Sequence, residues 1–195
     1  KGVLVDPGGG GINVAIGLAR RGVLARPVFF HAGETGELLI QLVQNRGVLV
    51  RPEDAIELEG DEQTRVTIVT SLDKAGSLVP KGTPVDEKAR QRMVDQLLDP
   101  EQGVKAGDIV VMSGSLAPGL PEDFYADLGR RLSARGATVV VDTKGAPAKA
   151  VLFSKPAAAT IYSLNHLEFS ELVGIDPKER AALIAKAREI IESQP

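Results

Sequence analysis

The 195-residue chain contains no cysteine and no tryptophan. Without thiols it has no disulfide, no thiolate metal site and no cysteine nucleophile. Aromatic residues make up only 4% of the chain, too few for base-stacking platforms. Its 26 acidic and 23 basic residues leave a net charge of −3, which offers no general attraction to nucleic acid or an anionic membrane. No apolar run approaches the roughly 20 residues that span a bilayer, and no secretory signal is visible. The expectation is a soluble cytoplasmic protein with neither nucleic-acid nor membrane partners.

What the chain has is glycine, and most tellingly four in succession in "DPGGGGINVAIGLARRG", Asp6 to Gly22. Each glycine loses more conformational entropy on folding than any other residue. A run of them ahead of a helix implies that something approaches the main chain closely. Ile12, Ala15, Ile16 and Ala19 fall at helical spacing, with Gly22 placed to end the helix. The first amides and the positive dipole end of such a helix suit an anion. Missing Cβ atoms at Gly8, Gly9, Gly10 and Gly11 let a sugar or phosphate touch those amides. Asn13 offers a donor and an acceptor to a hydroxyl-rich ligand. The structural alternative is a flexible linker, but linkers do not run straight into a patterned helix.

The rest alternates strand and helix. Val3–Val5 reads as a short strand, "ARPVFFHAG" as a strand buried at Val28–Phe30, and "ETGELLIQLVQNRG" as a helix. That helix turns Leu38, Leu39, Leu42 and Val43 inward and stops at Gly47. "AIELEG", "TRVTIVTS" and "GSLVP" are short and β-branched, as strands of a small extra sheet. Residues 48–80 therefore read as a lid inserted into a core made of 1–47 and 81–195. Asp86–Leu98 is a charged amphipathic helix, and "DIVVMSGS" an apolar strand. "PEDFYADLGRRLSARG" is a helix with Pro in its first turn, and "ATVVVDTKG" a strand. Ala146–Phe153 is a short helix, "ATIYSLN" a strand, and the remainder helical. Apolar strands separated by amphipathic helices predict a parallel α/β sheet covered on both faces.

In such sheets, ligands bind at the carboxyl ends of the strands. Three polar turns fall there: Ser113-Gly114-Ser115, Asp142-Thr143-Lys144-Gly145 and Asn165-His166-Leu167-Glu168. Each has a plain structural reading as well. Ser-Gly-Ser is an ordinary turn, and Asn165 with Glu168 has capping-box spacing. His31 and His166 have no second histidine and no obvious carboxylate partner at triad or metal spacing and read as structural or solvated. Arg65, Lys81, Lys144 and Lys155 are candidate phosphate contacts or solvated charges.

Taken together and in order, "PGGGGINVAIGLARRG", "AGETGELL", "TRVTI", "VMSGSLAPGLPEDFYADL", "VVVDTKG" and "NHLEFSELVG" resemble the PfkB/ribokinase family of sugar kinases over nearly the whole chain. The glycine motif matches its 6-phosphofructokinase branch, whereas related 1-phosphofructokinases and tagatose-6-phosphate kinases usually carry Lys at the position of Gly10. The resemblance implies a ribokinase-like fold with a small β lid, ATP and Mg²⁺ as cofactors, and phosphorylation of fructose 6-phosphate to the 1,6-bisphosphate.

It also implies roles. Gly8 to Asn13 would hold the sugar phosphate, Arg65 would reach its phosphate from the lid, and Ser113 and Ser115 would lie beside it. Asn165 and Glu168 match the family's Asn-x-x-Glu motif and would order Mg²⁺ and the nucleotide phosphates, Glu168 through water. Lys144 is assigned to the nucleotide as well. In many members the lid makes a homodimer contact. The chain differs in having Ser163-Leu164 where Lys-Pro usually precedes that motif, and Lys144 where Ser or Thr is common. An acidic strand before the glycine motif and a Gly-Ala-Gly-Asp segment carrying the general base are not among these residues. The base is therefore expected beyond Pro195, and the chain is expected to be an inactive fragment of the kinase. Three rivals remain: another family member's substrate, a non-catalytic sugar-phosphate-binding protein, and a dinucleotide-binding domain. The last lacks its third glycine, since Asn13 follows Gly8 and Gly10.

Overall fold

The computed structural model describes residues 5–59, 68–69, 77–78 and 82–193. The chain divides into two compact units: Lys1–Gln96 with Ala117–Leu120, and Leu97–Leu116 with Pro121–Pro195.

In the first unit, helix α1 (Gly10–Ala19) precedes strand β1 (Phe29–His31), helix α2 (Gly33–Asn45) and strand β2 (Ala55–Glu57). α2 is the crossover that lets β1 and β2 pair in parallel, Phe29 opposite Ala55 and His31 opposite Glu57. Leu58 N extends the ladder by donating to His31 O at 2.8 Å. Ile12, Ala15 and Ile16 of α1 close a core with Val43, Val48, Val50 and Ala55. Gly36 and Val43 are buried on α2, and Leu39 and Ile40 pack partly against the core, an i, i+3/i+4, i+7 stripe. Leu38 lies off that stripe and is 43% exposed, not inward as its apolar character predicts.

The sequence reading also needs correction at "AIELEG". Its first three residues form β2 and belong with β1, not with an extra sheet. Val48, Val50, Ile56 and Leu58 are buried for that reason. Strands β3 (Ile68–Val69) and β4 (Ser77–Leu78) do pair with each other, antiparallel. Of the other residues read as the lid, 48–54 and 58–59 belong to the first unit and the remainder lie outside the described residues, as do Val3 and Leu4; Val5 belongs to no element. Helix α3 (Glu87–Leu97) follows.

The unit is pinned by a buried ion pair. Asp54, fully buried, accepts from Arg26 Nε at 2.9 and 2.8 Å, from Arg26 Nη2 at 2.7 Å and from Gln96 Nε2 at 2.8 Å. A carboxylate removed from water needs such a set of donors to offset its desolvation.

The second unit is a parallel sheet in the order β5 (Ile109–Ser113), β6 (Thr138–Asp142), β7 (Ile161–Tyr162). Helices α4 (Phe124–Ala134), α5 (Gly145–Leu152), α6 (His166–Val173) and α7 (Arg180–Glu192) follow its strands. α4 packs on β6 and α5, burying Leu132, Val139 and Val151. At Gly129 a Cβ would stand 2.1 Å from Ala158 O, so only glycine allows that approach. α4 starts at Phe124, after a turn in which Phe124 N donates to Pro121 O at 3.0 Å, and so later than the proline suggests. The terminal helical stretch is two helices, because Gly174 adopts φ 71° and ends α6. "ATIYSLN" supplies only two strand residues.

Candidate functional site

In the first unit the glycine run makes the turn into α1. Gly9 is the N-cap at φ 113°, a conformation that side chains disfavour, and no side chain caps the helix. The first intrahelical bond is from Asn13 N to Gly9 O at 2.9 Å. The amides of Gly10, Gly11 and Ile12 therefore precede any intrahelical partner. The first turn has no acidic residue to offset the positive dipole end. Gly8 and Gly9 are exposed, and Gly10 and Gly11 half-buried. A Cβ at Gly8 or Gly11 would meet nothing within 4 Å, and one at Gly9 only Ile12 Cδ1 at 3.9 Å. At these three positions no side chain among the described residues seals the turn. Asn13 is exposed one turn along. Asp6, just ahead, is ion-paired with Arg46 beyond the end of α2.

In the second unit the polar turns gather at the carboxyl ends of adjacent strands. Ser113 ends β5 in register with Asp142 at the end of β6, and its Oγ donates to Asp142 Oδ2 at 2.9 Å. Gly114 turns away at φ 102°. Its N donates to Asp142 O at 2.9 Å and its O accepts from Thr143 Oγ1 at 2.9 Å and Tyr125 Oη at 3.4 Å. Burial first, and the Asp142 charge second, hold the Tyr125 phenol above its ordinary pKa. Ser115 follows, exposed. Lys144 is the exposed, extended N-cap residue of α5, while Lys155 lies beyond the far end of that helix.

β7 leads through Ser163, whose N donates to Val141 O at 2.8 Å, to Asn165. There the capping box forms in full. Asn165 Oδ1 accepts from Leu167 N and Glu168 N at 3.0 Å each, and Asn165 N donates to Glu168 Oε2 at 3.0 Å. One oxygen of Glu168 is thus committed to the helix. Among the described residues no group of three or more His, Asp or Glu side chains is gathered to hold a metal.

The strand ends thus bring Ser113, Lys144, Asn165 and Glu168 into neighbouring turns of one sheet. Arg65 and Lys81 lie outside the described residues. His166 is exposed at the start of α6. His31 is 6% exposed, with Nδ1 making no hydrogen bond and lying 3.7 Å from Glu37 Oε1. Sequence reasoning singles out the Asp142–Gly145 turn but misses Asp142 and Tyr125 as members of the Ser113 network. An acidic residue closing an otherwise apolar strand was the available signal for Asp142; nothing local marks Tyr125.

The sequence model of the pfkB family carbohydrate kinases matches residues 1–195. The chain is 29% identical over 191 residues to the ATP-dependent 6-phosphofructokinase isozyme 2 of Escherichia coli, covering 96% of this chain and 58% of that one. It is 34% identical over 190 residues to a 1-phosphofructokinase of Xanthomonas campestris, covering 95% and 57%. The crystal structure of Escherichia coli phosphofructokinase-2 in complex with fructose-6-phosphate matches at a TM-score of 0.80 and 28% identity, over 97% of this chain and 60% of that one. The chain therefore spans less than two thirds of these relatives.

Proposed function

Because the chain belongs to the pfkB family of carbohydrate kinases, we propose that the intact protein transfers the γ-phosphoryl group of ATP to the 1-hydroxyl of fructose 6-phosphate. The observation that carries this reading is the unsealed glycine turn, with open space at Gly8 and Gly11 and three helix-start amides facing no intrahelical acceptor. Those amides hold the sugar phosphate, Asn13 binds a sugar hydroxyl, and Arg65 contacts the phosphate. Ser113, oriented by Asp142, and Ser115 position the sugar.

Lys144 neutralises nucleotide phosphate charge. Glu168 has one oxygen in the capping box, and the other suits an outer-sphere contact to hydrated Mg²⁺, a hard ion that usually keeps several waters. Bound Mg²⁺–ATP supplies the phosphoryl group and spreads its charge. A general base supplied beyond Pro195 takes the hydroxyl proton. The protein works in the cytoplasm and dimerises through the lid, read in the sequence as residues 48–80.

The 34% identity to a 1-phosphofructokinase supports a second reading, with fructose 1-phosphate as substrate. Gly10, where that branch usually carries Lys, favours the first. Coupled assays of the full-length protein with fructose 6-phosphate, fructose 1-phosphate and tagatose 6-phosphate decide between them. Fastest turnover of fructose 6-phosphate is expected, and faster turnover of either other sugar overturns the assignment.

A further inference from the structure

Within the first unit, the glycine run is held to the end of α2 on both of its sides. On the near side Pro7 is buried, and Asp6 is ion-paired with Arg46, the C-cap residue of α2. On the far side Ile12 lies in the core that also holds Val43, on the turn of α2 before Arg46. Gly8 and Gly9 stand exposed between these attachments. Asp6 is the one acidic residue between Lys1 and Gly22. Its Cα lies at most about 7 Å from that of Gly8, two residues on. That is inside the roughly 8 Å over which physiological salt screens a charge. Left alone, the Asp6 carboxylate repels a phosphorylated ligand from the amides at the start of α1. The two side chains are 47% and 38% exposed, so their pairing adds little to stability. Its larger consequence is for the charge of whatever rests on the turn.

We infer that Arg46 is a positioning residue for sugar-phosphate recognition: by pairing with Asp6 it cancels the negative charge that Asp6 sets beside the glycine turn. The inference rests on the kinase reading above. Arg46 acts through Asp6, and its guanidinium stays charged at every working pH, so the cancellation is constant. Removing Arg46 bares the Asp6 carboxylate and weakens the hold on a phosphorylated sugar. Removing both charges leaves the turn as neutral as before, and recognition returns.

In the full-length protein, Arg46→Gln is expected to raise KM about fivefold for the fructose phosphate that the wild type turns over. The kcat should stay within about twofold. Adding Asp6→Asn to that variant should return the sugar KM to within about twofold of the wild type, which loss of a structural contact or of a direct phosphate contact does not do. Raising the salt to about 0.5 M should narrow the deficit of Arg46→Gln, because it shortens the reach of the bared charge. An Arg46→Gln enzyme with unchanged sugar KM, or a double variant as impaired as the single one, overturns the inference alone. A wild type that phosphorylates neither fructose 6-phosphate, fructose 1-phosphate nor tagatose 6-phosphate overturns the functional reading and the inference with it.

Discussion

Ser113 and Asp142 face each other across the carboxyl ends of β5 and β6, joined by the 2.9 Å bond from Ser113 Oγ to Asp142 Oδ2. Asp142 is exposed, so water can replace the serine. Ser113→Ala should therefore cost about 1 kcal/mol of stability or less. If Ser113 positions the sugar as proposed, the loss should raise the sugar-phosphate KM of the full-length enzyme several-fold. Steady-state kinetics beside a urea melt separate the two effects, and a KM equal to that of the wild type removes Ser113 from the site.

Asp54 tests the scaffold rather than the site. Its carboxylate is fully buried, and Arg26 and Gln96 are arranged around it. Asp54→Ala removes the buried carboxylate that Arg26 and Gln96 are arranged around and should cost roughly 3–5 kcal/mol. The urea midpoint should fall with the slope unchanged.

The capping bond of Glu168 and the metal role proposed for it can be pulled apart by one pair of variants. Gln can fill the N3 position of a capping box, so Glu168→Gln should keep stability within about 0.5 kcal/mol. It should still lower Mg²⁺-dependent turnover of the full-length enzyme by about tenfold or more, as loss of an outer-sphere metal contact does. Asn165→Ala should behave differently, losing about 1 kcal/mol of stability through the cap. A Glu168→Gln enzyme with normal Mg²⁺ dependence confines that residue to capping.

Tyr125 gives a pH signature. Burial and the nearby Asp142 charge raise its folded-state pKa above the ordinary tyrosine value of about 10. The folded state therefore holds the phenol proton more tightly than the unfolded state. The resulting stabilisation is fully present below that ordinary value and is lost as pH rises through the folded one. Ultraviolet titration of a Tyr162→Phe chain should show Tyr125 ionising at higher pH when folded than in denaturant.

The α/β alternation was legible because its signals are local: helical spacing at Ile12, Ala15 and Ile16, and apolar runs such as Val139–Val141. The glycine turn was legible for the same reason, since four glycines before a patterned helix have few structural uses. What the sequence hid was pairing choice. "AIELEG" alternates as a strand of either sheet would, and only the crossover through α2 assigns it to β1. Asp54 bonds to Arg26 and Gln96, 28 and 42 positions away, with no pattern in the chain to announce either contact. Gly119 likewise lies against the main chain of Val85, 34 positions earlier by the difference between 119 and 85.

Gly11→Ala puts the glycine turn to its most direct test, because stability and binding should move in opposite directions. A methyl group there meets nothing within 4 Å in the folded chain, and alanine favours the helix by up to about 1 kcal/mol. The variant should melt at the same temperature or higher while calorimetry shows fructose 6-phosphate binding to the full-length protein weakened by about tenfold, since the methyl group occupies the ligand's approach to the amides. An equally stable variant that binds the sugar phosphate as tightly as the wild type would show that the bare main chain at the start of α1 is not where the phosphate rests.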